Sequence, residues 1–330
     1  MFHLNFRPRS LIEVTVQDEK TVEFPKPAGR FSVMSWNIQY SAGRNYHFWY
    51  DGGKDVHVKN EDVRGTLKKI SETIRRQQPD ILILQEVDRD SKRTGRIDQL
   101  PWILKEVEMN SWSSTPYHRS RFVPAPLGNP LGRVDMHMAI ASKYKISSAV
   151  RYALPGLNEN FIRRDFNLKR ALLEAAIPTQ EGKQPLIVMN THLSAFSYGD
   201  GTLERQISLL KTRLKELDDA GYPWILAGDF NMIPPGDDPE RLGKESVYYR
   251  GDSNPLEELF MQYKPDVDLK IYTNHPGSYF TYLKYGEPRA DRKIDYIFSN
   301  KNVDIQEFSV IREEDPSSDH LPLFMEVSIK

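Results

Sequence analysis

Two packed β-sheets flanked by helices, an α+β arrangement in a single domain, is the fold this sequence predicts. Three observations carry it. Short apolar runs suited to strands outnumber the segments with helical periodicity. The helical segments fall between strands instead of forming a block. No repeat, low-complexity tract or linker divides the 330 residues, and layered sheet folds of that size often form one unit. The expected boundaries are an N-terminal extension over residues 1–29 and one domain over 30–330.

Each element follows from its local pattern. Pro8, Pro25 and Pro27 make the first segment an extension or an edge hairpin. Residues 31–38 form an apolar run suited to a buried strand, with Asn37 at its end. Asn60, Glu61 and Asp62 then start a helix in which Val63, Leu67, Ile70 and Ile74 share one face. After Pro79, residues 81–84 are a short buried strand that delivers Glu86. Further strands are expected at 136–142, 168–177 and 186–191. Leu203, Ile207, Leu210, Leu214 and Leu217 mark an amphipathic helix closed by Gly221. Strands at 224–227, 294–298 and 323–329 complete the pattern.

Composition narrows the function classes. A hydrophobic share of 39% with 28% charged residues describes a soluble globular protein. No run approaches the roughly 20 apolar residues that span a bilayer. Residues 1–9 carry basic side chains without an apolar stretch behind them, so a cytoplasmic protein is expected, or a secreted or periplasmic one whose leader was removed. Cysteine is absent, which removes disulfides, thiolate catalysis and Cys-ligated zinc together. The formal net charge of −1 weakens, without excluding, a protein that grips long nucleic acid. No Gly-rich dinucleotide loop or phosphate-binding loop of the Walker type follows any strand.

The chemistry-bearing residues sit at strand ends: Asn37, Glu86, His192, Asp229, Asn231, Asp295, Asp319 and His320. Strand ends are where a rigid scaffold presents side chains to a shared cleft. Singly, each has an ordinary explanation. Glu86 is a solvated turn residue, Asp229 and Asn231 an Asx-turn, His192 a strand residue, His320 a bonded surface histidine. Eight such coincidences in one chain argue for function.

In chain order these residues resemble the endonuclease/exonuclease/phosphatase superfamily, including its deoxyribonuclease-I-like and neutral-sphingomyelinase-like members. Ser35-Trp36-Asn37 resembles its first motif and Gln85-Glu86-Val87 its metal-carboxylate motif. Asn190-Thr191-His192-Leu193 resembles the histidine form found in its nuclease and sphingomyelinase branches. Gly228-Asp229-Phe230-Asn231, Ile294-Asp295-Tyr296 and Ser318-Asp319-His320-Leu321-Pro322 match closely. The resemblance spans nearly the whole chain beyond the extension and implies a four-layer αββα sandwich. Two departures narrow it. Arg292-Lys293-Ile294-Asp295 replaces the cysteine-containing segment usual in inositol-polyphosphate 5-phosphatases. His192 stands where abasic-site endonucleases usually carry a different arrangement with tyrosine.

The expected activity is Mg²⁺-dependent hydrolysis of a phosphodiester, of nuclease or phospholipid-headgroup type, with Mn²⁺ as a substitute. The alternatives are a phosphomonoesterase of inositol-phosphate or nucleotide type and a non-catalytic binding scaffold. A monomer is expected. Glu86 supplies a hard oxygen ligand, Asn37 a neutral carbonyl, and Asp319 a ligand or a partner close to the metal. Asp229 orients or deprotonates water, and Asn231 holds water or phosphate. Asp295 accepts a hydrogen bond from His320 and favours its imidazolium. His192 is a phosphate contact or the acid for the leaving oxygen. The family resemblance makes Arg170, read as mid-strand, a phosphate grip. Tyr46, His47, Phe48, Trp49 and Tyr50 follow the first motif. They form either a satellite core under a long loop or a cleft rim in which Trp49 and Tyr50 meet substrate.

Overall fold

The computed structural model describes residues 5–18, 27, 29–159, 161–180, 183–251 and 253–330. Pro25 lies outside them. Strands are numbered in chain order. One sheet contains β2 (Val16–Asp18), β3 (Arg30–Asn37), β4 (Ile81–Asp88), β5 (Ser111–Val123), β6 (Gly132–Ser142), β13 (Val303–Val310) and β14 (Leu323–Ile329). Its spatial order is β13-β14-β3-β4-β6-β5-β2. The other contains β1 (Leu11–Val14), β7 (Ser148–Ala153), β8 (Ala171–Ile177), β9 (Leu186–His192), β10 (Trp224–Asp229), β11 (Lys264–Pro265) and β12 (Asp295–Ser299). Its order is β1-β7-β8-β9-β10-β12-β11.

Each sheet has one parallel pair, β3 with β4 and β9 with β10. Parallel neighbours need a long crossover, supplied by helices α1 (Asn60–Gln77) and, after α2 (Gln99–Glu106) and α3 (Phe161–Phe166), α4 (Thr202–Asp219). Helix α1 carries Glu61 and Asp62 in its first turn and Arg75 and Arg76 in its last, matching the helix dipole. Gln78 ends it in the left-handed region, ahead of Pro79. Helix α4 stops where the Gly221 N–H bonds to Asp218 and the Tyr222 N–H to Leu217, with Gly221 at φ +78°.

Alternation along the strands makes the layers. In β10, Ile225 and Ala227 face a core shared with the other sheet, while Trp224 and Leu226 pack in a second cluster with Leu203, Ile207, Leu210 and Leu214 of α4. The first cluster also holds Val63, Leu67, Ile70 and Ile74 of α1. The result is helix, sheet, sheet, helix: the expected αββα sandwich.

Several element boundaries differ from the sequence reading. The strand expected at 168–177 begins at Ala171, so Arg170 precedes it and is not mid-strand. Strands β5, β7 and β13 are additions; β5 contains Pro116 and a register shift beside it, which hides a strand from propensity. The described strands before residue 29 do not pair with each other. Strand β1 pairs with β7 of one sheet and β2 with β5 of the other, so the segment edges both sheets. No helix among the described residues is long and apolar enough to cross a membrane.

Candidate active site

The carboxyl ends of the two parallel pairs meet at one mouth of the sandwich, the usual place for a ligand in crossover-built sheets. Asn37 ends β3, His192 ends β9 and Asp229 ends β10. Strand β12 runs antiparallel to β10, which pairs its first residue, Asp295, with Asp229. The Ser318 hydroxyl donates to the Asn37 carbonyl at 2.7 Å, pinning the Asp319–His320 turn to the end of β3. Seven of the eight strand-end candidates touch at least one other candidate, and Asn231 touches Asp229 through its backbone.

Glu86 reaches the cleft through a bulge. Its φ is +56°, and the pairing of β4 with β6 shifts register between Leu84 and Val87. A bulge re-aims one side chain at the cost of ladder bonds. Asn190 recovers part of them, its amide donating to the Leu84 and Ala139 carbonyls at 2.8 and 2.9 Å. The Tyr117 hydroxyl recovers another, accepting the Glu86 N–H at 3.2 Å. Gly228 has a steric role: a Cβ there would stand 1.9 Å from the Thr191 carbonyl oxygen of the neighbouring strand.

Asp229 is the hub. Its Oδ1 accepts the Asn231 N–H at 2.9 Å. Its Oδ2 accepts the Asn37 amide at 3.1 Å and faces His192 Nε2 at 3.3 Å and His320 Nε2 at 3.7 Å. Asp295 Oδ2 lies 2.8 Å from His320 Nδ1. Burial, set against the pull of His320 and supported by the nearby Asp295, raises the Asp229 carboxyl to about 7. Burial opposes the charging of His320, but Asp295, Asp229 and Asp319 outweigh it and hold its pKa well above 6.5. His192 moves the other way, held well below 6.5 by burial, Arg170 and His320. The two histidines therefore differ in charge near neutrality.

Three expectations change in detail. Asn37 does not turn its carbonyl to the cleft: Oδ1 accepts the Gln39 N–H, while Nδ2 lies 3.3 Å from Glu86 and 3.1 Å from Asp229. Its amide tethers two carboxylates in this arrangement. Asn231 commits one amide N–H to the Leu193 carbonyl at 3.0 Å. His192 has both ring nitrogens engaged, Nε2 against Asp229 and Nδ1 against Tyr117.

Arg170 is buried, lines the cleft and leaves Nη1 without a hydrogen-bond partner. Its guanidinium lies 5.8 Å from the Tyr117 ring. Tyr117 is the residue the sequence reading misses. Fully buried, its hydroxyl joins Glu86 N–H to His192 Nδ1, the latter at 3.2 Å. The segment 111–123 is largely polar and holds Pro116, so it offers no alternation from which a strand could be read. The aromatic loop divides between its two readings. Phe48 is buried in the core and Trp49 packs against it, whereas Tyr50 is exposed and both Trp49 and Tyr50 line the cleft with Glu86.

A profile described as the Endonuclease/Exonuclease/phosphatase family matches residues 34–320. The chain belongs to that family. Its members hydrolyse phosphoester bonds and generally use a divalent metal. Among solved structures, the chain is similar to an endonuclease/exonuclease/phosphatase from Beutenbergia cavernae DSM 12333, with 23% identity and a TM-score of 0.63, covering 92% of this chain and 72% of that one. It is also similar to the human Nocturnin catalytic domain with bound sulfate anion, at 18% identity and TM-score 0.58, covering 96% and 97%. A mannosyl-6-phosphatase from Bacteroides thetaiotaomicron VPI-5482 matches at 14% identity and TM-score 0.56, covering 91% and 100%. At these identities the likeness is one of fold. No curated protein matches the sequence.

Two groups of the family site could hold a cation. Asp229, Asp295 and His320 bring ligand atoms within 4.8 Å of one another, but they are already bonded to each other, to Asn37 and to Asn231. Glu86 and Asp319 are the better donors. Each keeps about a fifth of its side chain exposed (20% and 19%) and lines the cleft. Burial raises the Asp319 carboxyl to about 6 against the pull of His320, and Glu86 adds to the rise. Carboxylates that repel one another beside an open cleft suit a hard divalent cation.

Proposed function

We propose that the chain is a Mg²⁺-dependent phosphodiesterase that directs water onto phosphorus. The observation that carries this reading is the convergence of His192 and His320 on one oxygen of Asp229, at 3.3 and 3.7 Å. Glu86 and Asp319 would hold the cation, with Mn²⁺ as substitute, which supplies positive charge to a phosphoryl oxygen when bound.

The remaining roles follow from hydrogen-bond directions. His192 Nε2 faces the Asp229 carboxylate, an acceptor, so the neutral ring carries its proton there and donates to Asp229. Nδ1 is then the acceptor for the Tyr117 hydroxyl, whose oxygen takes the Glu86 N–H. The donors from His192, Asn37 and Asn231 fix the Asp229 carboxylate in one orientation. A carboxyl near 7 is matched to taking a proton from water at neutral pH. His320, kept cationic by Asp295, offers Nε2–H to charge building on the phosphoryl group. Arg170, with Nη1 uncommitted, grips a second phosphoryl oxygen.

Hydrolysis of bis-p-nitrophenyl phosphate and p-nitrophenyl phosphate tests this. Turnover should favour the diester, vanish in EDTA and return with Mg²⁺ or Mn²⁺, and Glu86→Gln should need far more metal. Full activity in EDTA, or no hydrolysis of either ester, would end the reading.

A further inference from the structure

We propose that an aromatic corner formed by Phe196 and Tyr248 binds a planar ring carried by the substrate, making the preferred ester a nucleoside-sized phosphoester. The inference rests on the phosphodiesterase reading of the same cleft and names its substrate class.

The large apolar side chains that are both exposed and lining the cleft, among the described residues, are Tyr50, Phe196, Tyr248 and Tyr285. All are aromatic. Half-buried Leu157 and Leu168 also line the cleft, but the exposed positions, where an acyl site would present aliphatic side chains, present π faces and edges. Phe196 is 60% exposed and Tyr248 41%. Their rings meet at 4.7 Å and 70°, an L-shaped corner in which a flat ring stacks on one face and meets the edge of the other.

Placement supports the assignment. Phe196 lies four residues beyond His192, in the loop leaving β9, and Tyr248 lies in the segment that follows the Asp229–Asn231 turn. Both loops therefore leave strands that carry reacting groups. Phe196 also sits at φ +55°, a backbone state that costs a non-glycine residue energy and is concentrated at ligand-binding positions. The segment bearing Tyr248 is braced: Arg292 bonds Glu245 at 2.6 Å and the Tyr249 hydroxyl at 3.3 Å.

Charge sets the size limit. The cleft is about 890 Å³, the scale of a small ligand. Its cations are mostly committed: Arg7 to Asp165, Arg93 to Asp88, Arg292 to Glu245 and Asp291, and Arg44 to the Leu283 and Lys284 carbonyls. Arg170 offers a free buried nitrogen and Arg164 stands exposed at the rim. A polynucleotide is held through several phosphates at once; this cleft is equipped for one or two.

The test uses the full chain with Mg²⁺ and measures binding by calorimetry for adenosine 5′-monophosphate, ribose 5-phosphate and decyl phosphate. The nucleotide should bind at least about tenfold tighter than the sugar phosphate, as base–aromatic stacking provides. Phe196→Ala and Tyr248→Ala should each cut that preference to about threefold or less, while melting temperature and affinity for the ring-free ribose 5-phosphate stay unchanged. Phe196→Leu, which keeps bulk without a π face, should behave like the alanine variant. Equal binding of nucleotide and sugar phosphate, tighter binding of decyl phosphate, or a preference that survives both alanine variants would overturn the aromatic corner. Absence of metal-dependent turnover of bis-p-nitrophenyl phosphate by the unmutated chain would instead overturn the phosphodiesterase reading, and the binding arms would still decide the corner.

Discussion

Tyr117→Phe removes one oxygen from the interior and nothing else. That hydroxyl accepts the Glu86 N–H and pairs with His192 Nδ1, both at 3.2 Å; His192 is buried and Glu86 half-buried. Leaving a buried polar group unpaired costs about 1–3 kcal/mol, so the buried His192 nitrogen predicts a stability loss of about 1–3 kcal/mol, with the half-buried Glu86 N–H adding less. The effect on rate is smaller and has a different origin. Without a donor at Nδ1, the Nε2–H tautomer of His192 is less favoured and its bond to Asp229 weakens. One hydrogen bond of about 1–1.5 kcal/mol corresponds to about a tenfold fall in kcat. His192→Ala removes the imidazole altogether and should cost about 10²-fold or more. If Tyr117 acts through His192, the double variant is no slower than His192→Ala alone, because groups that act as a unit are non-additive. Urea denaturation gives the first quantity and steady-state kinetics on bis-p-nitrophenyl phosphate the second. A Tyr117→Phe enzyme that loses stability but keeps kcat makes the tyrosine purely structural. Multiplicative losses in the double variant would give it a catalytic task separate from His192.

Two further outcomes follow from the same geometry. Asp295→Asn withdraws the carboxylate that keeps His320 charged, so the alkaline limb of the kcat/KM profile should move to lower pH; combined with His320→Ala it should add little, and an unmoved limb would contradict the pairing. His118, buried with Nε2 against the Phe166 carbonyl at 2.9 Å, is held down to about 3 by burial and by Arg93. The unfolded chain takes up that proton near 6.5, so this group's contribution to stability is complete above that value and is lost progressively down to about 3. Between pH 7 and 5 the loss through His118 is about 2 kcal/mol; His118→Gln should flatten the urea-midpoint curve by that amount, and an unchanged slope would assign acid sensitivity elsewhere.

The strand-end residues are legible in the sequence because each closes a continuous apolar run, and a run buried on both faces has one place to release a polar side chain. Two-sided burial also makes the four layers legible: α1 and α4 have one apolar face each, while β3, β4, β9 and β10 have two. What stays hidden depends on register and on backbone state. Tyr117 is out of reach because β5 is largely polar, holds Pro116 and shifts register beside it. Arg170 cannot be assigned a face without knowing that β8 starts one residue later.

Asn37 shows a deeper limit. Its position at the end of β3 is readable, yet its role turns on which end of the amide faces the cleft, and that is decided two residues later. Residues 39–41 all take positive φ, a turn that brings the Gln39 N–H onto Asn37 Oδ1 at 3.1 Å. With the carbonyl so occupied, the NH₂ group is left to bridge Glu86 and Asp229. A carbonyl there would add a third oxygen to a site already crowded with carboxylates; the amide instead supplies a donor between them. An aspartate at this position would be isosteric and strand-compatible, and no pattern in the sequence distinguishes it. In the folded site it would place one more negative charge beside the raised Asp229 carboxyl and raise it further. The asparagine therefore supplies a donor between carboxylates on strands remote in sequence, the kind of constraint that local pattern does not carry.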